Sequence, residues 1–91
     1  MKCNEDIYET LEKTILLLKN NGEKNWAKSL ERCQKELNND SVYVCNKILS
    51  MYGGMGSFND IVLYKDGQPL MKENELLDDL KTDLYHMCKN I

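Results

Sequence analysis

Residues that interrupt helices and strands are scarce in this sequence. Its 91 residues include one proline, Pro69, and five glycines, which is not the composition of a linker or a disordered segment. No block of five like charges occurs, and 42% of the residues are hydrophobic against 30% charged. We therefore expect a single folded domain over residues 1–91, too small to hold a deep pocket beside its core.

Long hydrophobic runs are also missing. The longest apolar run covers the four residues 15–18, whereas a helix that spans a membrane needs about 20. The first six residues contain neither the apolar stretch nor the small-residue cleavage site of a secretory signal peptide. These absences predict no membrane partner and a cytoplasmic location.

Cysteine is present, but without the spacing that metal or redox chemistry requires. Intervals of 30, 12 and 43 positions separate Cys3, Cys33, Cys45 and Cys88, so the sequence contains no Cys-x-x-Cys motif. The last three fall on apolar helix faces, where a reduced thiol packs as a small hydrophobic residue. We expect buried thiols rather than disulfides, and we expect no cofactor.

Apolar residues recur at helical spacing in the first half of the chain. They predict a first helix over residues 5–19, with Asn4 as its N-cap and Gly22 just beyond its end. A second helix follows within a few residues and ends before Asn38, so the two should form an antiparallel hairpin. It carries Trp26, which we interpret as a core residue rather than a ligand platform.

A third helix is predicted from a cap at Asp40 or Ser41 to Tyr52, although the strand-forming residues 42–44 lie in its first turn. A fourth is predicted from residue 73 or 74 to residue 90, with an apolar stripe along one face. Between them the spacing changes. Phe58 and residues 61–64 are strand-type, and the Asp-Gly pair at residues 66–67 is typical of a type I′ hairpin turn.

These elements define the expected fold class. It is mainly α, within the α+β class, and consists of a compact bundle of about four helices with a small β-hairpin between the third and fourth. Because Pro69 follows the turn and the returning segment is very short, this segment must be an edge strand or an irregular arm.

The segment at residues 53–60 has three glycines in four positions, which indicates backbone angles that other residues avoid. Loops that cradle phosphate run from a strand into a helix N-terminus, whereas here a helix precedes the glycines and a strand follows them. We interpret the segment as a helix C-cap followed by a tight corner. The alternative is a small-ligand, nucleotide-binding or enzymatic site with Asn59 and Asp60 as its polar contacts.

The same segment resembles a known group of proteins. Gly-Gly-Met-Gly-Ser-Phe-Asn-Asp at residues 53–60, followed by the apolar residues 61–64, is similar to a stretch in a family of small bacterial proteins of unknown function. The resemblance covers the middle and later half of the chain, with Trp26 in a comparable place. Proteins of this size and architecture resemble the immunity or antitoxin partners of bacterial toxins, which implies action by protein binding.

Negative charge is concentrated in the later part of the chain. Residues 1–52 carry eight basic and eight acidic side chains, and residues 53–91 carry four and seven, so the net charge of −3 lies entirely in the second part. Glu75, Asp79 and Asp83 are spaced i, i+4, i+8 and therefore share one face of the fourth helix. This face is either simply solvated or a docking face for a basic partner.

Two further patterns support weaker readings. His86 follows Asp83 by three residues, but one helix face supplies too few ligands for a closed metal site or a general-base arrangement. We interpret His86 as a residue that suits the negative end of the helix dipole. A basic stripe on the second helix is interrupted by Glu31 and Glu36, so we expect no nucleic-acid partner.

Together these features predict a non-enzymatic protein-binding module. Its most specific form is an immunity-type inhibitor that covers the basic active site of a nuclease-like bacterial toxin. The residues expected to contact the partner are Glu75, Asp79, Asp83, Asn59 and Asp60. Two alternatives stay open, a ligand-binding or enzymatic domain that uses residues 53–60 and a structural homodimer.

Overall fold

The structure is a computed structural model that describes residues 2–53 and 56–91, with the backbone alone for residues 2 and 3. The main elements in chain order are the helices α1 (Lys2–Asn20), α2 (Lys24–Glu36) and α3 (Ser41–Ser50), the short 3₁₀ helix Phe58–Asp60, the strands β1 (Tyr64–Lys65) and β2 (Gln68–Pro69), and the helix α4 (Met71–Lys89). The predicted fold class, a mainly helical bundle with a small antiparallel hairpin between the third and fourth helices, is confirmed.

The four helices form a closed ring of neighbours. α1 packs against α2 and α4, and α3 packs against the same two helices. Tyr52, just after α3, donates its hydroxyl hydrogen to the carbonyl of Lys81 at 2.7 Å, whereas Cys45 in α3 lies beside Cys88 near the end of α4. α3 and α4 are therefore antiparallel, and α2 and α4 lie at opposite corners of the bundle.

The core is formed by one apolar stripe from each helix together with three residues of the connection between α3 and α4. Burial of these stripes is the main favourable contribution to folding. The buried apolar side chains are Ile7, Leu11, Ile15, Leu18, Ala27, Leu30, Cys33, Leu37, Val44, Cys45, Ile48, Phe58, Ile61, Leu63, Leu77, Leu80, Leu84 and Cys88. Trp26 packs against this core, as predicted, with its ring centroid 5.5 Å from that of Phe58.

Helix boundaries differ from the sequence prediction in three places. α1 already includes Asn4, so this residue is not an N-cap, and α3 ends at Ser50 rather than at Tyr52. α4 begins at Met71, two or three residues before the predicted start, with Leu70 in the N-cap position. Near its start the Asn74 amide pairs with both backbone groups of Leu63, accepting from the N–H at 2.7 Å and donating to the carbonyl at 3.0 Å.

The hairpin has the predicted turn but shorter strands. Asp66 and Gly67 both have positive φ angles, 53° and 78°, as a type I′ turn requires. Phe58 was expected in a strand but lies in the 3₁₀ helix, where the hydroxyl of Ser57 caps the N-terminus by accepting from the N–H of Asn59 at 3.3 Å. The paired strands begin at Tyr64, and one further backbone bond runs from the N–H of Leu70 to the carbonyl of Leu63 at 2.9 Å.

The glycine segment forms a corner after α3. Gly53 and Gly56 have φ angles of 96° and 73°, and the N–H of Phe58 donates to the carbonyl of Met51 at 3.0 Å, closing the loop. Gly54, which the sequence also suggested for a positive φ angle, lies outside the described residues. The interpretation as a helix end followed by a tight corner agrees with this geometry.

Valine at Gly53 or Gly56 is expected to lower the free energy of unfolding by more than about 1 kcal/mol. A Cβ atom at either position meets no atom within 4 Å, so the cost arises from the backbone conformation and not from a clash. Gly56→Asn is the matched control, because asparagine tolerates positive φ angles far better than a β-branched residue. Equal melting temperatures for wild type and both valine variants would contradict this account.

Among the described residues, no helix combines the length and the apolar character needed to cross a membrane.

Candidate functional site

The exposed side of α4 carries the three carboxylates that the sequence singled out. Glu75, Asp79 and Asp83 face solvent, whereas Leu77 and Leu84 on the other side of the helix are fully buried. Within residues 2–53 and 56–91, no salt bridge involves any of these three carboxylates.

Acidic residues of α1 extend this face. A shallow groove of about 330 Å³ between α1 and α4 is lined by Asp6, Glu9, Thr10, Lys13, Asp83, His86 and Met87. Three of these side chains are carboxylates, and both Asp6 and Glu9 are exposed. We call Asp6, Glu9, Glu75, Asp79 and Asp83 the acidic surface. The sequence did not indicate the contribution of α1, because which helix packs beside α4 depends on the tertiary structure.

Asn59 and Asp60, the other two residues predicted to contact a partner, do not belong to the acidic surface. Asp60 accepts a hydrogen bond from the N–H of Gly56 at 2.9 Å, so its carboxylate stabilises the glycine corner. Asn59 is exposed and lines a different groove, on the α3 side of α4.

This second groove, the α3–α4 groove, has a volume of about 610 Å³ and is open to solvent. It lies where the end of α3 and the glycine corner meet the middle of α4. The described residues that line it are Leu49, Tyr52, Gly53, Asn59, Asp78, Lys81, Thr82, Tyr85 and His86. Of these, Gly53 and Asn59 belong to the segment of the alternative ligand site, and His86 was considered as a metal or general-base residue.

Tyr52 forms the floor of the α3–α4 groove. Its ring packs edge-on against Phe58 and Tyr85, with centroid distances of 5.3 and 5.1 Å. Burial raises the pKa of the Tyr52 phenol, so the hydroxyl stays protonated and donates to the carbonyl of Lys81. Tyr52 thus holds the end of α3 against α4 and presents an apolar, aromatic base to the groove.

Lys81 is buried beneath the groove. Its Nζ donates to the carbonyls of Ile61 and Asn59 at 3.2 and 3.4 Å and lies 3.9 Å from a carboxylate oxygen of Asp78. Burial lowers the pKa of Lys81, whereas the negative charges of Asp78 and Asp60 act in the opposite direction. The lysine fastens the 3₁₀ segment to α4.

Lys81 was not predicted as a site residue, although its position in the sequence is unusual for a lysine. It lies four residues after Leu77 and three before Leu84, in the middle of the apolar stripe of α4. A lysine in that position must either extend its charged end out of the core or find partners inside it. Here the backbone carbonyls of the connection supply the partners.

Three cysteines lie in the core as free thiols. Cys33, Cys45 and Cys88 are buried, which confirms the expectation for these residues, and the side chain of Cys3 lies outside the described part of the chain. Burial raises the pKa of each of the three thiols, so they remain protonated and pack as apolar groups. In the part of the chain that the structure describes, no group of three or more His, Cys, Asp or Glu side chains is placed to hold a metal ion.

The architecture is thus a small antiparallel helical bundle with an acidic surface on one side of α4 and an aromatic groove on the other. A family model described as "Domain of unknown function (DUF6966)" matches residues 19–71. Because this match spans more than half of the 91 residues, the chain belongs to that family. No curated protein and no solved structure matched the chain.

The family match covers the two candidate surfaces unequally. It includes α2, α3, the glycine corner and the hairpin, and it ends at Met71, the first residue of α4. Tyr52 and Asn59 on the α3 side of the groove therefore lie within the matched range, whereas the three carboxylates on α4 lie beyond it. The expectation that the chain belongs to an uncharacterised family is confirmed by this match.

Proposed function

We propose that this chain is a non-enzymatic binding module that docks a basic protein on its acidic surface. The observation that carries the proposal is the set of exposed carboxylates on α4, which have no salt-bridge partner among the described residues. In the described part of its lining, the groove beside them contains one lysine, Lys13, against the carboxylates Asp6, Glu9 and Asp83. A basic partner therefore supplies positive charge that the surface lacks.

The energetics of α4 favour such a partner. Carboxylates at i, i+4 spacing repel each other by a few tenths of a kcal/mol, and the helix dipole offsets this only in the first turn. Asp79 and Asp83 lie beyond that turn. Docking of a positively charged surface removes the repulsion and also accelerates association through long-range attraction.

The arrangement of the helices gives the molecule a charge asymmetry. Lys24, Lys28, Arg32 and Lys35 lie on α2, and α2 occupies the corner of the bundle opposite α4. A partner with a basic surface is therefore attracted towards α4 and oriented away from α2. This asymmetry supports the acidic surface, rather than the chain as a whole, as the docking site.

The finer form of the proposal is an immunity-type inhibitor of a bacterial, nuclease-like toxin. An enzyme that cleaves nucleic acid binds a polyanion, so its substrate groove is basic. An acidic surface on a rigid helix is complementary to such a groove and blocks it without any chemistry. The resemblance of residues 53–60 to small bacterial proteins, and of the architecture to immunity proteins, supports this form.

The test replaces the three α4 carboxylates by amides of the same shape. The triple variant Glu75→Gln, Asp79→Asn, Asp83→Asn should fold as stably as wild type or slightly more so, because the mutual repulsion disappears. Its affinity for the basic protein recovered with wild type should fall chiefly through slower association, and the loss should shrink as salt rises. Surface plasmon resonance at several salt concentrations measures the affinity and the association rate of each variant.

The control keeps the net charge change but moves it elsewhere. Glu5→Gln, Glu36→Gln, Asp66→Asn removes three exposed carboxylates outside the acidic surface. We expect this variant to lose much less association rate than the first. Equal association by wild type and the α4 variant at low salt, or failure of the wild-type chain to recover any basic protein from its source cell, would contradict the proposal.

A further inference from the structure

We infer that the α3–α4 groove binds an arginine side chain that projects from a protein partner. The inference rests on the proposed function only in assigning that arginine to a protein. It concerns a different face of α4, which meets the α1–α4 groove at His86, and different residues from the acidic surface.

The base of the groove suits a guanidinium group. The rings of Tyr52 and Tyr85 both line the groove, with their centroids 5.1 Å apart and their planes inclined by 64°. Guanidinium is planar and weakly hydrated and stacks on aromatic faces, where the ring quadrupole attracts its charge. The ring of Tyr85 already attracts a cation within the chain, since the Nζ of Lys89 lies 5.4 Å from its centroid.

The polar end of the groove presents negative charge. The side chain of Asp78 is 76% exposed, whereas that of Lys81 is only 5% exposed and is directed to two backbone carbonyls. The 3.9 Å separation between Asp78 and Lys81 leaves the carboxylate able to accept short hydrogen bonds. A partner that enters this end therefore meets the carboxylate and the exposed Asn59 rather than the lysine.

The α4 residues of the lining connect the aromatic base of the groove to its carboxylate end. Asp78, Thr82 and Tyr85 have the i, i+4, i+7 spacing of one helical stripe, so they line the same side of the groove. An arginine fits this stripe with its aliphatic stem along the tyrosine rings and its guanidinium fork on the carboxylate of Asp78. An anionic ligand is disfavoured, because Asp78 is an exposed carboxylate of the lining and the buried Lys81 already has its partners.

The chain's own arginine does not reach this groove. Arg32 is the single arginine in the sequence, and it lies on α2 at the opposite corner of the bundle. An arginine in the groove must therefore come from another molecule.

The experiment uses the full chain and a short probe. Amide resonances are followed while acetyl-Gly-Arg-Gly-amide is added, and the titration is repeated with the citrulline peptide, which has nearly the same shape but no charge. Saturable shifts are expected at Asn59, Asp78, Thr82 and Tyr85. The citrulline peptide should bind about fivefold more weakly, which corresponds to about 1 kcal/mol for an exposed ion pair.

Two variants locate the probe. Asp78→Asn should weaken the arginine peptide about fivefold, and Tyr85→Leu should weaken it while keeping an apolar floor. The spectrum of each variant without peptide reports whether its fold is intact. The variant without the three α4 carboxylates should bind the peptide as wild type does, because the groove does not use them.

Several results would overturn the inference. Equal shifts with both peptides would show that charge is not recognised, and loss of binding only in the α4 triple variant would place the peptide on the acidic surface. Concentration-dependent dimerisation abolished by Arg32→Gln would assign the groove to a second copy of the chain. Peptide binding in the groove without any basic partner on the acidic surface would refute the proposed function and leave this inference standing.

Discussion

Truncation of Leu84 to alanine is expected to lower the free energy of unfolding by about 2–5 kcal/mol. The side chain is 0% exposed and lies in the core on the buried side of α4. Its removal loses the transfer free energy of the deleted atoms and leaves a cavity that the surrounding helices fill only in part. Because a domain of this size is marginally stable, such a loss unfolds a substantial fraction of the molecules.

The same helix provides the control for this prediction. Leu76→Ala makes the same chemical change in α4, but Leu76 is 49% exposed, so we expect a loss below about 1 kcal/mol. Leu80→Ala should resemble Leu84→Ala, since Leu80 is also buried. Urea unfolding monitored by circular dichroism measures all three. Equal losses at Leu76 and Leu84 would show that helix propensity, and not burial, determines the result.

Phe58→Ala is expected to have the largest effect of any single truncation, about 3–5 kcal/mol. Phe58 is fully buried although it belongs to the connection and not to a long helix. Its ring lies 5.5 Å from that of Trp26 in α2, 5.3 Å from that of Tyr52, and 5.9 Å from the Nζ of Lys81 in α4. Deletion of the ring therefore removes the contacts that attach the connection to α2, to Tyr52 after α3 and to α4.

Trp26 makes this effect visible without a label. It is the single tryptophan of the chain and packs directly on Phe58, so the variant should show altered tryptophan emission even before it unfolds. Tyr64→Ala is the control, because this aromatic residue of the same connection is 58% exposed. A loss below about 1 kcal/mol for Phe58→Ala in urea unfolding would contradict the role assigned to the ring.

Local periodicity and turn chemistry made much of the fold predictable from the sequence. The apolar stripes predicted four helices, and the Asp-Gly pair predicted the type I′ turn, because both signals act between residues close along the chain. The exposure of Glu75, Asp79 and Asp83 followed from the same period. These features need no information about which helices become neighbours.

Contacts between distant segments decided the rest. Asn74, near the start of α4, pairs its side-chain amide with both backbone groups of Leu63, which joins the helix to the segment before β1. A polar side chain satisfies whichever backbone group the fold brings to it, and its sequence neighbours do not reveal which group that is.

For the acidic surface and the α3–α4 groove as well, the sequence determined one part and the tertiary structure decided the other. The sequence alone determined that α4 has a carboxylate face, because a helix places residues four apart on one side. Only the tertiary structure decided that Asp6 and Glu9 extend it and that Tyr52 meets Tyr85 to form the groove. The burial of Lys81 was decided in the same way, because carbonyls 20 and 22 positions away in the chain replace the water that its ammonium group loses.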